Sequence, residues 1–250
     1  MYYISSLICV ENTCRWNCCA EVISIHRIFY VANNYYDLIF YMAQIFNNMG
    51  KTVAVEDVSH NSMLVKLIPD MEYEREWTYK GVDYFRGAVS GEYDIVLSNC
   101  DISQCGVSNC EDAGVADGTV IFNSTLRRCD ATALRGLVDK NRELRVVLRD
   151  VVSSGMGASY LSQRIAGAGD GSGEKQHNIK CYEVYTDIID YRYRIDMEYE
   201  GYSGFSNLSW DYGKVITALI ADVMKWDKKK VWHAFKNARE GKIVENSSMG

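Results

Sequence analysis

Short apolar runs alternate along this chain with segments whose apolar residues recur every three or four positions. Residues 27–31 read as a first strand. In 36–48, Leu38, Ile39, Met42, Ile45 and Phe46 are spaced like the inner face of a helix. Asn47-Asn48-Met49-Gly50 then supplies a glycine stop. A second strand runs over 52–56 and ends at Asp57. Residues 62–67 are short and apolar, and 73–85 are aromatic with a strand among them. Further strands are predicted at 93–98, 118–123, 144–148 and 182–189, and helices at 131–140, 215–226 and 230–240. This alternation predicts an α/β fold, three-layer and doubly wound, with a mainly parallel sheet between helices.

The first strand, turn and helix look like the opening of a nucleotide-binding unit. A phosphate loop works because glycines let backbone N–H groups approach the phosphates and a lysine adds charge. Here the turn is Val31-Ala32-Asn33-Asn34-Tyr35-Tyr36-Asp37. Asn33, Asn34, Tyr35 and Tyr36 include neither glycine nor lysine, and both tyrosines are expected to take phosphate space. Gly50-Lys51-Thr52 spells the end of a Walker A motif, but Ile45 stands at its first glycine and the triplet follows the helix. Gly50 reads as a helix stop and Lys51 as a solvated turn residue. The glycines of 166–173 lack the strand–loop–helix frame, so that stretch reads as a flexible connection.

Gly50-Lys51-Thr52-Val53-Ala54-Val55-Glu56-Asp57, then Glu92-Tyr93-Asp94-Ile95-Val96-Leu97-Ser98-Asn99, then Ala116-Asp117-Gly118-Thr119-Val120-Ile121-Phe122 resemble, in that order, the strand phrases of the ParA/MinD family of deviant-Walker ATPases. The resemblance spans roughly residues 27–225 and implies a P-loop NTPase-like fold. It also marks departures. Asn99 stands where the family's Mg²⁺-linked aspartate would be, and Asp57 alone is kept. Arg149-Asp150 falls near the family's base-reading asparagine. Within the family, Asp196-Met197-Glu198-Tyr199-Glu200-Gly201 and Leu208-Ser209-Trp210-Asp211-Tyr212 are similar to the closing segments of the TadZ/CpaE-like branch linked to pilus assembly. The resemblance implies a pseudo-ATPase without cofactor, a localisation or assembly factor for a pilus or secretion machine. It implies a homodimer whose contact forms over Asn33, Asn34, Tyr35 and Tyr36. The alternative is a weak ATPase of the same type, binding ATP and Mg²⁺ through an atypical loop with Asp57 orienting water.

Composition narrows the picture further. The chain has 250 residues and 48% hydrophobic content, enough for one sizeable core, and 27–250 is expected to form a single domain. Residues 1–26 are expected to be a poorly packed extension, with an upstream start codon as their simplest origin. They lack the basic start, apolar run and cleavage site of a signal peptide. A net charge of -6 argues against a nucleic-acid partner. No apolar run approaches the ~18 residues of a membrane span.

The nine cysteines are scattered and odd in number, which suits reduced thiols in a cytoplasmic protein. Cys9, Cys14, Cys18 and Cys19 lack the paired spacing of zinc knuckles, and His26, His60, His177 and His233 form no metal pair, so no metal is expected. Cys100, Cys105 and Cys110 read as thiols at the sheet edge. The acidic, tyrosine-rich run 190–202 reads as an alternating edge strand, a partner surface, or both. In 226–236, lysines join Trp226, Trp232 and Phe235. The leading expectation is a terminal helix packed on the domain, and the second is peripheral contact with the inner face of a membrane.

Overall fold

In the computed structural model the described residues are 26–32, 35–60, 62–69, 71, 74–100, 119–125, 134, 137, 144–152, 157–166, 179–206 and 208–242. The readings for residues 1–25, Asn33, Asn34, Cys105, Cys110, Cys129, His177 and the glycines of 167–173 lie outside them.

One sheet organises the chain. Its strands are β1 (His26–Ala32), β2 (Val53–Asp57), β3 (Glu76–Tyr79), β4 (Val82–Arg86), β5 (Ile95–Asn99), β6 (Thr119–Ser124), β7 (Leu144–Val151) and β8 (Ile179–Tyr185). Their spatial order is β3-β4-β2-β5-β1-β6-β7-β8. Among the described residues every pairing is parallel except the β3–β4 hairpin. Helices are α1 (Asp37–Asn48), α2 (Ala158–Ala166), α3 (Ile188–Glu200), α4 (Trp210–Met224) and α5 (Lys228–Arg239), with a 3-10 turn at Val65–Leu67. The doubly wound, mainly parallel α/β architecture expected from the residues is present.

Alternation along the strands builds the layers. Ile28 and Tyr30 of β1 face the layer of α1, α4 and α5, whereas Val31 faces Leu134, Leu137 and Leu161 on the other side. Helix α1 is buried nearly all round, because α4 and α5 cover the side that the sheet does not. It ends as its residues predict. Gly50 has φ 75°, its N–H bonds the Asn47 carbonyl at 2.9 Å, and the Lys51 N–H bonds Phe46 at 3.2 Å. That pair of bonds is the Schellman stop, which favours glycine. The β3–β4 turn has positive φ at both Lys80 (51°) and Gly81 (76°), the two-residue geometry that matches strand twist. Lys51 is only partly solvated and pairs with Asp94 at 3.5 Å.

Two segments differ from expectation. Residues 190–202 form no edge strand: strand β8 stops at Tyr185 and α3 occupies Ile188–Glu200. The Asp187 carboxylate accepts from the N–H groups of Ile189 (2.7 Å) and Asp190 (3.4 Å), starting a helix that Gly201 ends. Asp190, Arg194 and Met197 then fall on one inward face at helical spacing. Secondly, α2 lies just before the 166–173 glycines, in a span where no element was expected. Glu183 of β8 accepts from the Ala158 N–H at 2.6 Å, so a distant strand supplies its start. The α5 expectation of packing on the domain is met, with Val231 and Phe235 buried and Trp232 half-buried.

Candidate functional site

The carboxyl ends of β1, β6 and β7 meet the start of α1, where a doubly wound fold places its ligands. Here that position is filled by the chain's own side chains. Asp37, in the first turn of α1, and Arg149, near the end of β7, are both buried. Arg149 Nη1 and Nη2 donate to Asp37 Oδ1 (3.2 Å) and Oδ2 (2.9 Å). The Tyr212 hydroxyl donates to Asp37 Oδ2 at 3.1 Å and accepts from Arg149 Nη1. Burial by itself would lower the Arg149 pKa, but the Asp37 carboxylate overrides it and holds the guanidinium charged. A carboxylate in the first turn also complements the helix dipole, the role a bound phosphate would otherwise take.

Tyr35 is only 9% exposed. Its hydroxyl donates to Asp150 Oδ2 at 2.8 Å. Its carbonyl accepts from Asn123 Nδ2 at 2.9 Å and from the Tyr30 hydroxyl. Guanidinium groups of Arg149 (5.3 Å) and Arg194 (4.6 Å) lie against its ring. Arg194 reaches in from α3 and pairs with Asp150 at 3.6 Å. Asp150 holds a left-handed φ of 55°, a backbone strain that aims its carboxylate between Tyr35 and Arg194. Burial, then the hydrogen bond and charge of Asp150, push the Tyr35 phenol up to about 12. Tyr35 is therefore turned into the fold rather than presented to a partner. Tyr36 is the half-buried residue preceding α1.

The second cluster joins Asp57 and Asn99. Asp57 Oδ1 accepts from Ser59 N (3.2 Å), Ser59 Oγ (2.5 Å) and Asn99 Nδ2 (2.9 Å). Its Oδ2 accepts from the N–H groups of Leu64 (3.0 Å) and Val65 (3.4 Å). The carboxylate thus caps the Val65–Leu67 turn and is 2% exposed. Its lone pairs are committed to the chain, which leaves none to orient a water.

These residues do not fit a magnesium triphosphate. The start of α1 carries its own carboxylate, Asp150 adds a second, and Arg149 and Arg194 are already paired. Among the described residues no group of His, Cys, Asp and Glu could hold a metal ion, and no helix is long and apolar enough to cross a membrane. Cys100 is buried, and burial followed by the Glu183 charge pushes the Cys181 thiol up to about 11, away from nucleophilic use.

Of the positions singled out from sequence, Asp57 and Asn99 are brought together, Tyr35 joins Arg149 and Asp150, and Asn33 and Asn34 lie outside the described residues. Asp37, Tyr212, Asn123 and Arg194 were missed. The Asp after Tyr36, at a helix start, was the one available signal; Tyr212 is 175 positions from Asp37 and gives none.

No family model matches the chain, and no curated protein matches it. Among solved structures it is similar to the MinC:MinD cell division protein complex of Aquifex aeolicus (TM-score 0.48, 9% identity, 84% of this chain and 94% of that one). It is also similar to a ParA family ATPase from Chlorobium tepidum TLS (TM-score 0.43, 8% identity, 85% and 98%). A third is pNOB8 ParA bound to nonspecific DNA (TM-score 0.37, 11% identity, 86% and 98%). Likeness at this level concerns the course of the chain and carries no activity with it.

Proposed function

We propose that this chain is a non-catalytic localisation or assembly factor of ParA/MinD-like design, acting by protein contact and not by nucleotide turnover. The observation that carries this is the filled phosphate position: Asp37, held by Arg149 and Tyr212, sits at the start of α1 beside the buried Tyr35. A triphosphate entering there would meet two carboxylates and would have to break a buried ion pair, a cost that its own contacts would need to exceed. The closing segments' resemblance to the TadZ/CpaE-like branch supports a pilus or secretion machine as the partner, met in the cytoplasm or at the inner face of the membrane. The net charge of -6 supports protein over nucleic acid as that partner.

Calorimetric titration with ATP or ADP at millimolar concentration with Mg²⁺ tests the reading. The expected result is no saturable heat. Saturable binding abolished by Asp57→Ala would establish the weak ATPase instead. For the pathway, affinity capture with the full chain is expected to recover envelope-assembly proteins; recovery of nucleic acid alone would count against it.

A further inference from the structure

Helix α3 lies over the carboxyl edge just described. Its inward face sends Arg194 to Asp150 and Asp190 to the Ser209 N–H (2.7 Å), and beyond Gly201 the Tyr202 N–H reaches the Leu67 carbonyl. Among the described residues the opposite face is largely open, with Ile195 half-buried. With about 100° per residue, the side away from Asp190, Arg194 and Met197 carries Ile188, Arg192, Ile195 and Tyr199, an i, i+4, i+7, i+11 stripe. Ile188 is 78% exposed and Tyr199 85%. Val152, Tyr185, Ile189 and Tyr191 extend the same corner, since the Thr186 N–H bonds the Val151 carbonyl just before α3 begins. Among the described residues, the other exposed large hydrophobics are Met63 and Trp210 alone. A cluster of this kind marks a contact surface.

We propose that a second copy of this chain docks on the outer face of α3, antiparallel and without nucleotide. The charges select that occupant. A two-fold axis across the helix midpoint exchanges Ile188 with Tyr199 and Arg192 with Ile195, so the stripe maps onto itself. An antiparallel pair sets equivalent flanks against each other, and Arg192 and Asp196 share one flank. Each Arg192 then meets the Asp196 of the other copy. In one copy alone these two make only a loose contact of 3.9 Å with both side chains exposed. The helix ends agree. The last turn of α3 holds Glu198 and Glu200 and no basic residue, which opposes its own dipole. Antiparallel docking places the other copy's N-terminus beside those carboxylates. The pairing rests on the proposed function in that it takes place over an edge closed to nucleotide.

Sedimentation equilibrium of the full chain without nucleotide tests it. The wild type is expected to populate dimer in the micromolar range, as suits a small contact. Arg192→Glu sets like charges opposite Asp196 and is expected to raise the dissociation constant at least about tenfold. Arg192→Glu combined with Asp196→Arg reverses both partners and is expected to restore it within about threefold. Ile188→Glu is expected to give monomer. Both charged positions are solvent-exposed, and far-UV dichroism confirms that the variants fold. A wild type that stays monomeric, an association that needs ATP, or indifference to Arg192→Glu overturns the docking. Calorimetric ATP binding with unchanged, nucleotide-free, Arg192-dependent association overturns the non-catalytic reading and leaves the α3 contact standing.

Discussion

The buried Asp37–Arg149 pair makes the sharpest stability prediction. Arg149→Met removes both charge-assisted bonds and leaves the Asp37 carboxylate, among the described residues, with the Tyr212 hydroxyl as its remaining side-chain donor, in a site where both partners' side chains are at most 2% exposed. Stranding a buried charge in this way costs about 3–5 kcal/mol. Set against a total stability of about 5–15 kcal/mol, that is at least about a fifth of the margin of a typical domain. For a chain of this size it corresponds to a fall in melting temperature of about 6–20 °C. Replacing both partners, Asp37→Leu with Arg149→Met, leaves no charge behind and is expected to recover most of the loss, because apolar residues of similar volume tolerate such a site. Urea unfolding followed by tryptophan fluorescence and far-UV dichroism measures both variants at constant slope. If Arg149→Met costs less than about 1 kcal/mol, or the double variant loses the sum of two large single effects, the ion pair does not hold this edge together.

Asp57→Ala removes the acceptor for the Leu64 and Val65 N–H groups and is expected to cost about 1–3 kcal/mol in a denaturant melt, with no difference between samples with and without ATP and Mg²⁺. In Gly213→Ala the new Cβ would fall 2.2 Å from Phe235 Cζ, so the buried Phe235 ring or the packing of α4 on α5 must shift; a loss of about 1–3 kcal/mol is expected, relieved by Phe235→Leu in the same background. Burial by itself would raise Asp222, but hydrogen bonds from Lys180 (2.7 Å) and Arg145 (2.5 Å) outweigh it and hold its pKa well below the ordinary carboxylate range. A depressed folded pKa adds stability above the unfolded value of about 3.9 that is lost as pH falls through the folded one. Asp222→Asn is therefore expected to destabilise the chain at pH 6–7, with the gap to wild type closing steadily below about pH 4; a gap that is unchanged in acid would refute the linkage.

Helix α3 illustrates why some elements escape a reading along the chain. Its tyrosines at 191, 193 and 199 keep the odd spacing of a strand, and its inward residues are Asp190, Arg194 and Met197, a face with little apolar signal. What makes the helix is the Asp187 cap at one end and Gly201 at the other, together with partners in distant elements, Asp150 and Ser209. Helix α2 escaped for a related reason: its start is fastened by Glu183 from β8. Local sequence is blind to a carboxylate brought from elsewhere.

The chain's own pattern determined most of the strands, the helix α1 and its stop at Gly50, because those depend on local spacing and on the backbone freedom of glycine; the β3–β4 hairpin and the end of β8 at Tyr185 it did not. It also determined that no glycine or lysine lies among Asn33, Asn34, Tyr35 and Tyr36. Only the tertiary structure decided what fills the place a phosphate would take. The parallel crossovers bring Asp37, Arg149 and Tyr212 into contact from three separate elements, and a buried ion pair exists only where burial and partner coincide. Nor does sequence order record which face of α3 is left outward, since that depends on what the other face has found to bind.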